Sequence, residues 1–453
     1  MDIIIQILKS TIFLAATIFA GYTFFRQMKA VRQNIDLGRP DERKDNLNER
    51  LKKMLLVAFG QQKMFQNLIP ATLHFVIYVG FLVINVELIE ILIDGIFGTH
   101  RALGVLGPVY SLLMGVNEVL GALVIVASII LLYRRNVLKI KRFEGIEMKH
   151  TNFVDANTIL FTEIALMTAL FIFNISDVSL ACIRKGEIHG AFPISNLFCC
   201  AFGTNETVLE VLKNIGWWVH ILGIYAFLNY IPKSKHFHIM MAFPNVYFSK
   251  LEPLGKFNSM EVIMHEVKAA FDPSYEVPVI ENAPKRFGAK DVNDLSWKNL
   301  LDSYSCTECG RCTSVCPANL TGKKLSPRKI IMDTRDRLEE IQHNKLKVDE
   351  NGLFTAPNGA SEATDHTLLG EHYITNEELW ACTTCNACAD ACPVNIDHVS
   401  TILDLRRYLV MEESTIPDSW AKMFSNIENN GAPWAVPAAT RFDWANEVYM
   451  PEN

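Results

Sequence analysis

The sequence predicts an all-α protein in two parts: a five-helix transmembrane bundle, then a smaller helical domain built around two cysteine motifs. Three observations carry this reading. The long apolar runs all fall before residue 232, and residues 240–453 read as soluble sequence. Half of the 453 residues are hydrophobic and the mean hydropathy is +0.15, high for a soluble chain of this size. Eight of the 11 cysteines lie in two tight groups after residue 300. The expected division is a membrane domain over 1–239, a connecting segment over 240–297 and a cysteine-rich domain over 298–453. A net charge of −6 carries no nucleic-acid signature, so none is expected as a partner.

Five runs are long enough to cross a bilayer, which takes about 20 apolar residues. They lie near Ile3–Phe25, Leu68–Ile93, Val109–Tyr133, Ile159–Leu180 and Val208–Ile231. The first has no basic region before it and no A-x-A-like cleavage site after it, so it reads as a retained helix rather than a signal peptide. Basic residues crowd Arg26–Lys63, then Arg134–Lys149, then Lys233 and Lys235. The other two loops carry only Arg101, and Arg184 with Lys185. The positive-inside rule then puts the N-terminus outside and the cysteine-rich domain in the cytoplasm of a prokaryotic inner membrane.

The first cysteine group reads CTECGRCTSVCP, giving Cys306, Cys309, Cys312 and Cys316 before Pro317. The second reads CTTCNACADACP, giving Cys382, Cys385, Cys388 and Cys392 before Pro393. Both follow C-x2-C-x2-C-x3-C-P in full, the run whose fourth cysteine ligates the other cluster. Cys306, Cys309, Cys312 and Cys392 are therefore expected to hold one [4Fe–4S] cluster, and Cys382, Cys385, Cys388 and Cys316 the second. Zinc sites favour paired C-x2-C units, and a reducing compartment disfavours disulfides. The insert between the motifs, 65 residues long, starts a helix at Ser326-Pro327, and another helix follows the second motif from Asp397. Nothing nearby suggests a nucleophile, an open metal position or a dinucleotide fingerprint, so the domain reads as a wire. Cys182, Cys199 and Cys200 fall in an outer loop and are not expected to be cluster ligands.

Among 12 histidines, His74 lies just inside the second run and His220 in the outer half of the fifth. His236 and His238 follow the fifth run, and His100 sits in an outer loop. His220 and His238 are 18 positions apart. Five full turns of continuous helix would put them on one side, about 27 Å apart, one for each leaflet. Bis-histidine haem b ligation needs a second helix, and His74 is at the depth of His238. The expected ligands are His74 with His238 for an inner haem and His220 with His100 for an outer one. A single haem, or His189 in place of His100, stays open. The surface or hydrogen-bonded alternative for each histidine is a cross-helix contact.

The five-run layout, His74 before YVGF, and WWVHILGIYAFLNYIPKSKHFHI around His220 and His238 resemble the gamma subunit of respiratory nitrate reductases and the cytochrome b subunit of heterodisulfide reductases. The two cysteine motifs, with LSPRKII and LWACTTC, resemble the heterodisulfide reductase small iron–sulfur subunit and the helical ferredoxin of succinate dehydrogenase. The resemblance implies a fusion of two such subunits with clusters held between helices. One departure stands out: the nitrate reductase pattern has a second histidine on the second span, where this chain has Ile84.

Glu87 and Glu90 on the second run, and Asn117 and Glu118 on the third, share the outer depth; Glu163 lies on the fourth. Quinone chemistry moves protons with electrons, so Glu87 and Glu118 are candidate quinone or proton residues. The sequence thus predicts a membrane-bound subunit passing electrons between a cytoplasmic partner, two [4Fe–4S] clusters, haem b and the quinone pool. The expected partners are the bilayer, a quinone, and a separate catalytic subunit: a CCG-type iron–sulfur protein, an electron-transfer flavoprotein or a flavoprotein dehydrogenase. A haem-free iron–sulfur anchor and a redox-coupled ion-translocating or sensory protein are the alternatives.

Overall fold

The computed structural model describes residues 2–145, 147–186, 188–279, 285–356 and 364–448 of the chain. Its first half contains five helices long and apolar enough to cross a membrane: α1 (Asp2–Ile35), α2 (Leu68–Phe97), α3 (Pro108–Asn136), α4 (His150–Arg184) and α5 (Glu206–Tyr230). Each expected run is present, and most extend past the apolar core because polar residues continue the helix beyond it. Pro108 opens α3, where its missing N–H costs nothing. Gly98, at φ 70°, ends α2.

The helices pack through small residues, as expected where lipid and side chain are equally apolar. A Cβ on Gly216 of α5 would stand 2.7 Å from the Phe173 nitrogen of α4, so only glycine allows that crossing. Polar contacts join α1 to α5: Thr17 Oγ1 lies 2.6 Å from Tyr225 Oη, and Thr23 Oγ1 donates to Asn229 Oδ1 at 2.6 Å.

The fifth helix does not run on to His238. It ends at Tyr230, and two 3-10 turns, Ile231–Lys233 and Lys235–Phe237, flank an extended Ser234. A new helix, α6, then runs His238–Tyr247. Pro232 cannot donate into a helical ladder, and the Ser234 hydroxyl accepts from the His236 N–H to start the next turn. The five-turn alignment of His220 with His238 expected from the sequence is therefore wrong, because a 100° step applies only to unbroken helix.

Among its described residues the second half is built of helices and loops with one hairpin, Lys347–Val348 paired with Phe354–Thr355. Its main elements are α7 (Glu261–Phe271), α8 (Trp297–Ser305), α9 (Arg311–Ser314), α10 (Pro327–His343), α11 (Asn376–Trp380), α12 (Ala387–Ala391), α13 (His398–Met411) and α14 (Asp418–Asn430). The helices expected at Ser326-Pro327 and after Asp397 are both present. Ser326 and Asp397 cap the N-termini of α10 and α13 with their side chains. Leu300, Leu325, Ile330, Leu338, Leu379, Ile402 and Leu405 form the core between these helices.

This domain sits on one end of the bundle, held by every basic-rich loop. Arg39 N donates to Leu295 O at 2.7 Å, and Trp297 N donates back to Arg39 O at 3.0 Å. Asn34 at the end of α1 donates to Tyr304 Oη at 2.7 Å. Arg328, fully buried, pairs with Glu147 of the α3–α4 loop at 2.6 Å. That end of the bundle is called proximal below, and the opposite end distal.

Candidate electron-transfer sites

The two cysteine motifs wind alike. In the first, Glu308 (φ 53°) and Gly310 (φ 71°) are left-handed; in the second, Thr384 (φ 53°) and Asn386 (φ 60°) occupy the same places. Left-handed backbone at Glu308 and Thr384 is strained for residues with a Cβ, and such strain gathers at functional sites. The winding points amides at sulfur: Glu308 N donates to Cys306 Sγ at 3.5 Å and Thr384 N to Cys382 Sγ at 3.3 Å. The last cysteine of each run is buried and leaves its own motif. Cys392 packs with Cys306 and lies within electrostatic reach of Cys306, Cys309 and Cys312. Cys316 is likewise in reach of Cys382 and Cys388, with Cys385 beside them at the surface. The eight thiols thus lie near one another, with the last cysteine of each run beside the other run. Cys312 and Cys388 share one apolar cluster, so the two sets adjoin.

The set containing Cys306 packs against α6, the helix that follows the fifth span. Ala242 of α6 packs against the cluster that contains Cys306, Ile331 and Cys392, and the Ser305 hydroxyl donates to Met241 O at 3.3 Å. His238 begins the same helix, one turn earlier, a rise of about 6 Å. Glu308 ties the first motif to this region, pairing with Lys235 at 2.7 Å and Arg335 at 2.6 Å. Burial acts to raise the Glu308 carboxyl, but those two cations hold it down at about 2.

His74 and His238 face each other with ring centroids 6.3 Å apart and ring planes at 37°. Two metal–nitrogen bonds of about 2 Å, plus about 1.1 Å from each ligating nitrogen to its ring centre, give roughly the same spacing. His238 Nδ1 lies 2.9 Å from Lys235 O, which fixes the ring and leaves Nε2 for a ligand. Burial keeps His238 below its ordinary pKa and so neutral, the form that binds a metal. His236 is also buried; its ring packs 5.3 Å from Phe227 and 5.6 Å from His238, and its Nε2 has no hydrogen-bond partner.

His220 repeats the orientation of His238, with Nδ1 2.8 Å from Leu166 O of α4. Its expected partner, His100, is half exposed at the distal end, with Nε2 3.2 Å from Asp177 Oδ1. His189 packs beside Gly104 in the distal loops. No contact joins His220 to either among the described residues.

The distal end holds a buried charge network. Arg101 donates to Asn174 at 2.7 Å, lies 3.3 Å from Asp177 and 3.7 Å from Glu87, and stacks over Phe173 and Phe192. Lys213 also reaches Asp177, at 2.8 Å. Glu90 accepts from Tyr110 Oη at 2.8 Å and Leu103 N at 3.0 Å. Glu118 caps the short helix Pro193–Leu197, accepting from Ile194 N, Ser195 N and the Ser195 hydroxyl. Glu87 Oε1 and both polar side-chain atoms of Asn117 lack hydrogen bonds. Sequence reasoning missed Arg101 and Asp177 as the centre of this network, although a lone arginine in an otherwise uncharged loop was a visible signal. Cys182, Cys199 and Cys200 are free thiols at the same end.

Comparison with known proteins bears on these sites. The sequence model of the 4Fe-4S dicluster domain family matches residues 305–396, the stretch holding both motifs. A probable iron-sulfur-binding oxidoreductase of Bacillus subtilis, FadF, is 30% identical over 462 residues, covering 98% of this chain and 61% of the relative. An EtfAB:quinone oxidoreductase of Syntrophomonas wolfei is 27% identical over 423 residues, covering 89% of this chain and 55% of the relative. A CoB-CoM heterodisulfide reductase subunit of Methanosarcina acetivorans is 33% identical over 119 residues, covering 26% of this chain and 53% of the relative. The chain thus spans little more than half the length of these relatives. No solved structure matches. The chain thus combines five helices long and apolar enough to cross a membrane with a stretch that matches the 4Fe-4S dicluster domain, and it is similar to iron–sulfur oxidoreductases and heterodisulfide reductase subunits.

Proposed function

We propose that the chain passes electrons between a partner at the iron–sulfur domain and a quinone in the membrane, with haem b between them. The observation that carries the proposal is the 6.3 Å spacing of His74 and His238, one turn of α6 from the proximal cysteine set. A haem bound there would supply a one-electron centre between the clusters and the bilayer. His74 and His238 would hold it, and the Lys235 carbonyl fixes the His238 ring. The order follows from packing: Cys382, Cys385, Cys388 and Cys316 outermost, Cys306, Cys309, Cys312 and Cys392 next, then His238.

His220, with its Nδ1 anchored on Leu166 O, is the ligand proposed for a second haem. His100 keeps its place as the proposed partner only if it leaves Asp177. Glu87 beside Asn117 is the favoured proton residue at a distal quinone site, because both keep polar atoms without a hydrogen bond there. Glu118 is engaged in capping Pro193–Leu197 and is the weaker choice. The basic loops that grip the iron–sulfur domain support a cytoplasmic place for it. The Syntrophomonas relative's name joins an electron-transfer flavoprotein to quinone, which supports a flavoprotein partner here; a CCG-type subunit is the second choice. The nitrate reductase gamma-like reading of the bundle rests on the same histidines.

The test is a reduced-minus-oxidised spectrum of the purified chain and its His74→Leu variant. We expect the α-band of b-type haem in the parent, reducible by added quinol, and loss of the proximal haem's share in the variant. A parent without the band ends the haem assignment; a band that quinol never reduces ends the quinone assignment.

A further inference from the structure

We propose that Glu340, His366 and His372 form a binding site for a divalent transition-metal ion such as zinc, nickel or cobalt, separate from the cysteine sets. The site lies in the insert between the two cysteine motifs. Glu340 projects from the last turn of α10, and the two histidines come from the loop that leads into α11. A tight turn brings them together: Gly370 N donates to Ile374 O at 2.9 Å and Ile374 N to Leu368 O at 3.1 Å, with Gly370 at φ 147°. The imidazoles then stack, centroids 4.0 Å apart and planes at 24°.

The ligand atoms converge. His366 Nε2 stands 3.0 Å from each Glu340 carboxylate oxygen, and one donor atom from each of the three residues lies within 4.8 Å of the others. Two donors at about 2.1 Å from one ion, at a right angle, stand about 3 Å apart, so His366 and Glu340 already have ligand spacing. His372 is exposed, with its ligand atom within 4.8 Å of the other two. Glu340 Oε2 is oriented by Arg337 at 2.7 Å and Tyr373 Oη at 2.9 Å, leaving Oε1 for an ion. Such outer partners are a regular feature of metal sites. Two imidazoles and one carboxylate are a borderline donor set, which favours zinc, nickel or cobalt over the all-oxygen choice of calcium or magnesium.

The surroundings fit a hydrated cation. The histidines line a cavity of about 800 Å³ that also receives Asp365, Glu371 and Glu413 against one lysine, Lys290. A hydrogen bond from His366 to Glu340 would need only one imidazole, whereas two stacked imidazoles cannot both carry charge without repulsion. A shared ion explains both. It also gives the site a consequence. The same loop is held to α10 by Lys329, which binds Tyr373 O and Glu378, and α11 ends two residues before Cys382. An ion here fixes the segment that enters the second cysteine motif.

The experiment uses the full chain in detergent, stripped with EDTA, equilibrated with zinc chloride, desalted and analysed for zinc, iron and sulfide. One zinc per chain is expected, absent from the His366→Ala/His372→Ala variant at unchanged iron and sulfide. Equal zinc in both proteins, or none in the parent, overturns the site. His372→Ala alone, at an exposed position, should weaken zinc binding at least ~10-fold. In the parent, zinc should slow diethyl pyrocarbonate modification of His372, read by mass spectrometry, and unchanged modification also overturns the site.

Discussion

The two ends of the bundle bury polar groups in opposite ways. At the proximal end three imidazoles, His74, His236 and His238, lie together, and none forms an ion pair among the described residues. At the distal end Asp177 pairs with Arg101 and Lys213, Glu87 lies 3.7 Å from Arg101, and Glu90 and Glu118 accept hydrogen bonds from Tyr110 and Asn174. Buried charges survive only when paired, because their desolvation is costly. Neutral imidazoles with one nitrogen anchored on a carbonyl suit metal ligation instead. The contrast teaches that one end offers ring nitrogens without ion pairs and the other a paired charge network, the difference on which the proposed haem and proton roles rest. It also explains why the iron–sulfur domain docks where it does.

The sharpest way to break this contrast is to remove the proximal cluster's borrowed ligand. Cys392→Ser lies in the second motif, yet it should lower iron from about eight to about four per chain by emptying the site of the first motif. Paramagnetic resonance of the reduced protein should then retain one cluster signal, and haem reduction from the iron–sulfur side should fail. Loss instead of the cluster held by Cys382, Cys385 and Cys388 would undo the crossed assignment. It would also remove the reason for placing the Cys306 set nearest His238.

The next largest effect is expected at the distal end. Arg101→Leu leaves Asp177 and Glu87 buried with one cation fewer, and breaking such a pair costs about 3–5 kcal/mol. Thermal unfolding in detergent should register the loss, while the haem proposed at His74 and His238 keeps its spectrum. Replacing Arg101 and Asp177 together by leucine should recover part of the stability. If Arg101→Leu altered the proximal haem first, the two ends would not be separate.

A smaller effect tests how the domain is gripped. Glu147→Ala frees Arg328, which still donates to the Arg142 carbonyl at 2.7 Å, so the cost should be about 2 kcal/mol. Burial acts to raise the Glu147 carboxyl, but the Arg328 cation holds it below its ordinary value. A depressed carboxylate contributes stability above its unfolded pKa, and that contribution is lost as pH falls through the folded value. The parent should therefore weaken below about pH 4.3 at this contact, and the variant should lack that component. Limited proteolysis of the 139–149 loop across pH is the measurement, and identical profiles would show that the pair does not grip the domain.

Much of this was legible in the sequence because the signals were local. Five apolar runs became five helices, and the two C-x2-C-x2-C-x3-C-P runs wind alike, with left-handed residues at Glu308 and Thr384. What could not be read depends on tertiary contact. The alignment of His220 with His238 failed at Pro232, where a proline inside an apolar run can kink or end a helix. His74 still meets His238, because the broken chain folds back across the bundle end rather than continuing its axis. Glu118 looked like a proton group because its cap, Ile194 and Ser195, lies 76 and 77 residues away. The Glu340, His366 and His372 group draws on both ends of the insert, so no spacing rule announces it.

The smallest expected effect decides which histidine serves the proximal end. His236 and His238 are two residues apart and their rings lie 5.6 Å apart. His238 has the geometry of a ligand, with Nδ1 on the Lys235 carbonyl and its ring 6.3 Å from His74. His236 has the unpaired Nε2, which is costly unless something else uses it. If His238 is the ligand, His236→Leu should leave haem content and spectrum unchanged and raise stability by about 1 kcal/mol, since a buried unsatisfied nitrogen is removed. If His236 is the ligand, the same substitution removes the proximal haem while His238→Leu spares it. The pair of spectra separates the two outcomes, because one imidazole can be lost without consequence and the other cannot.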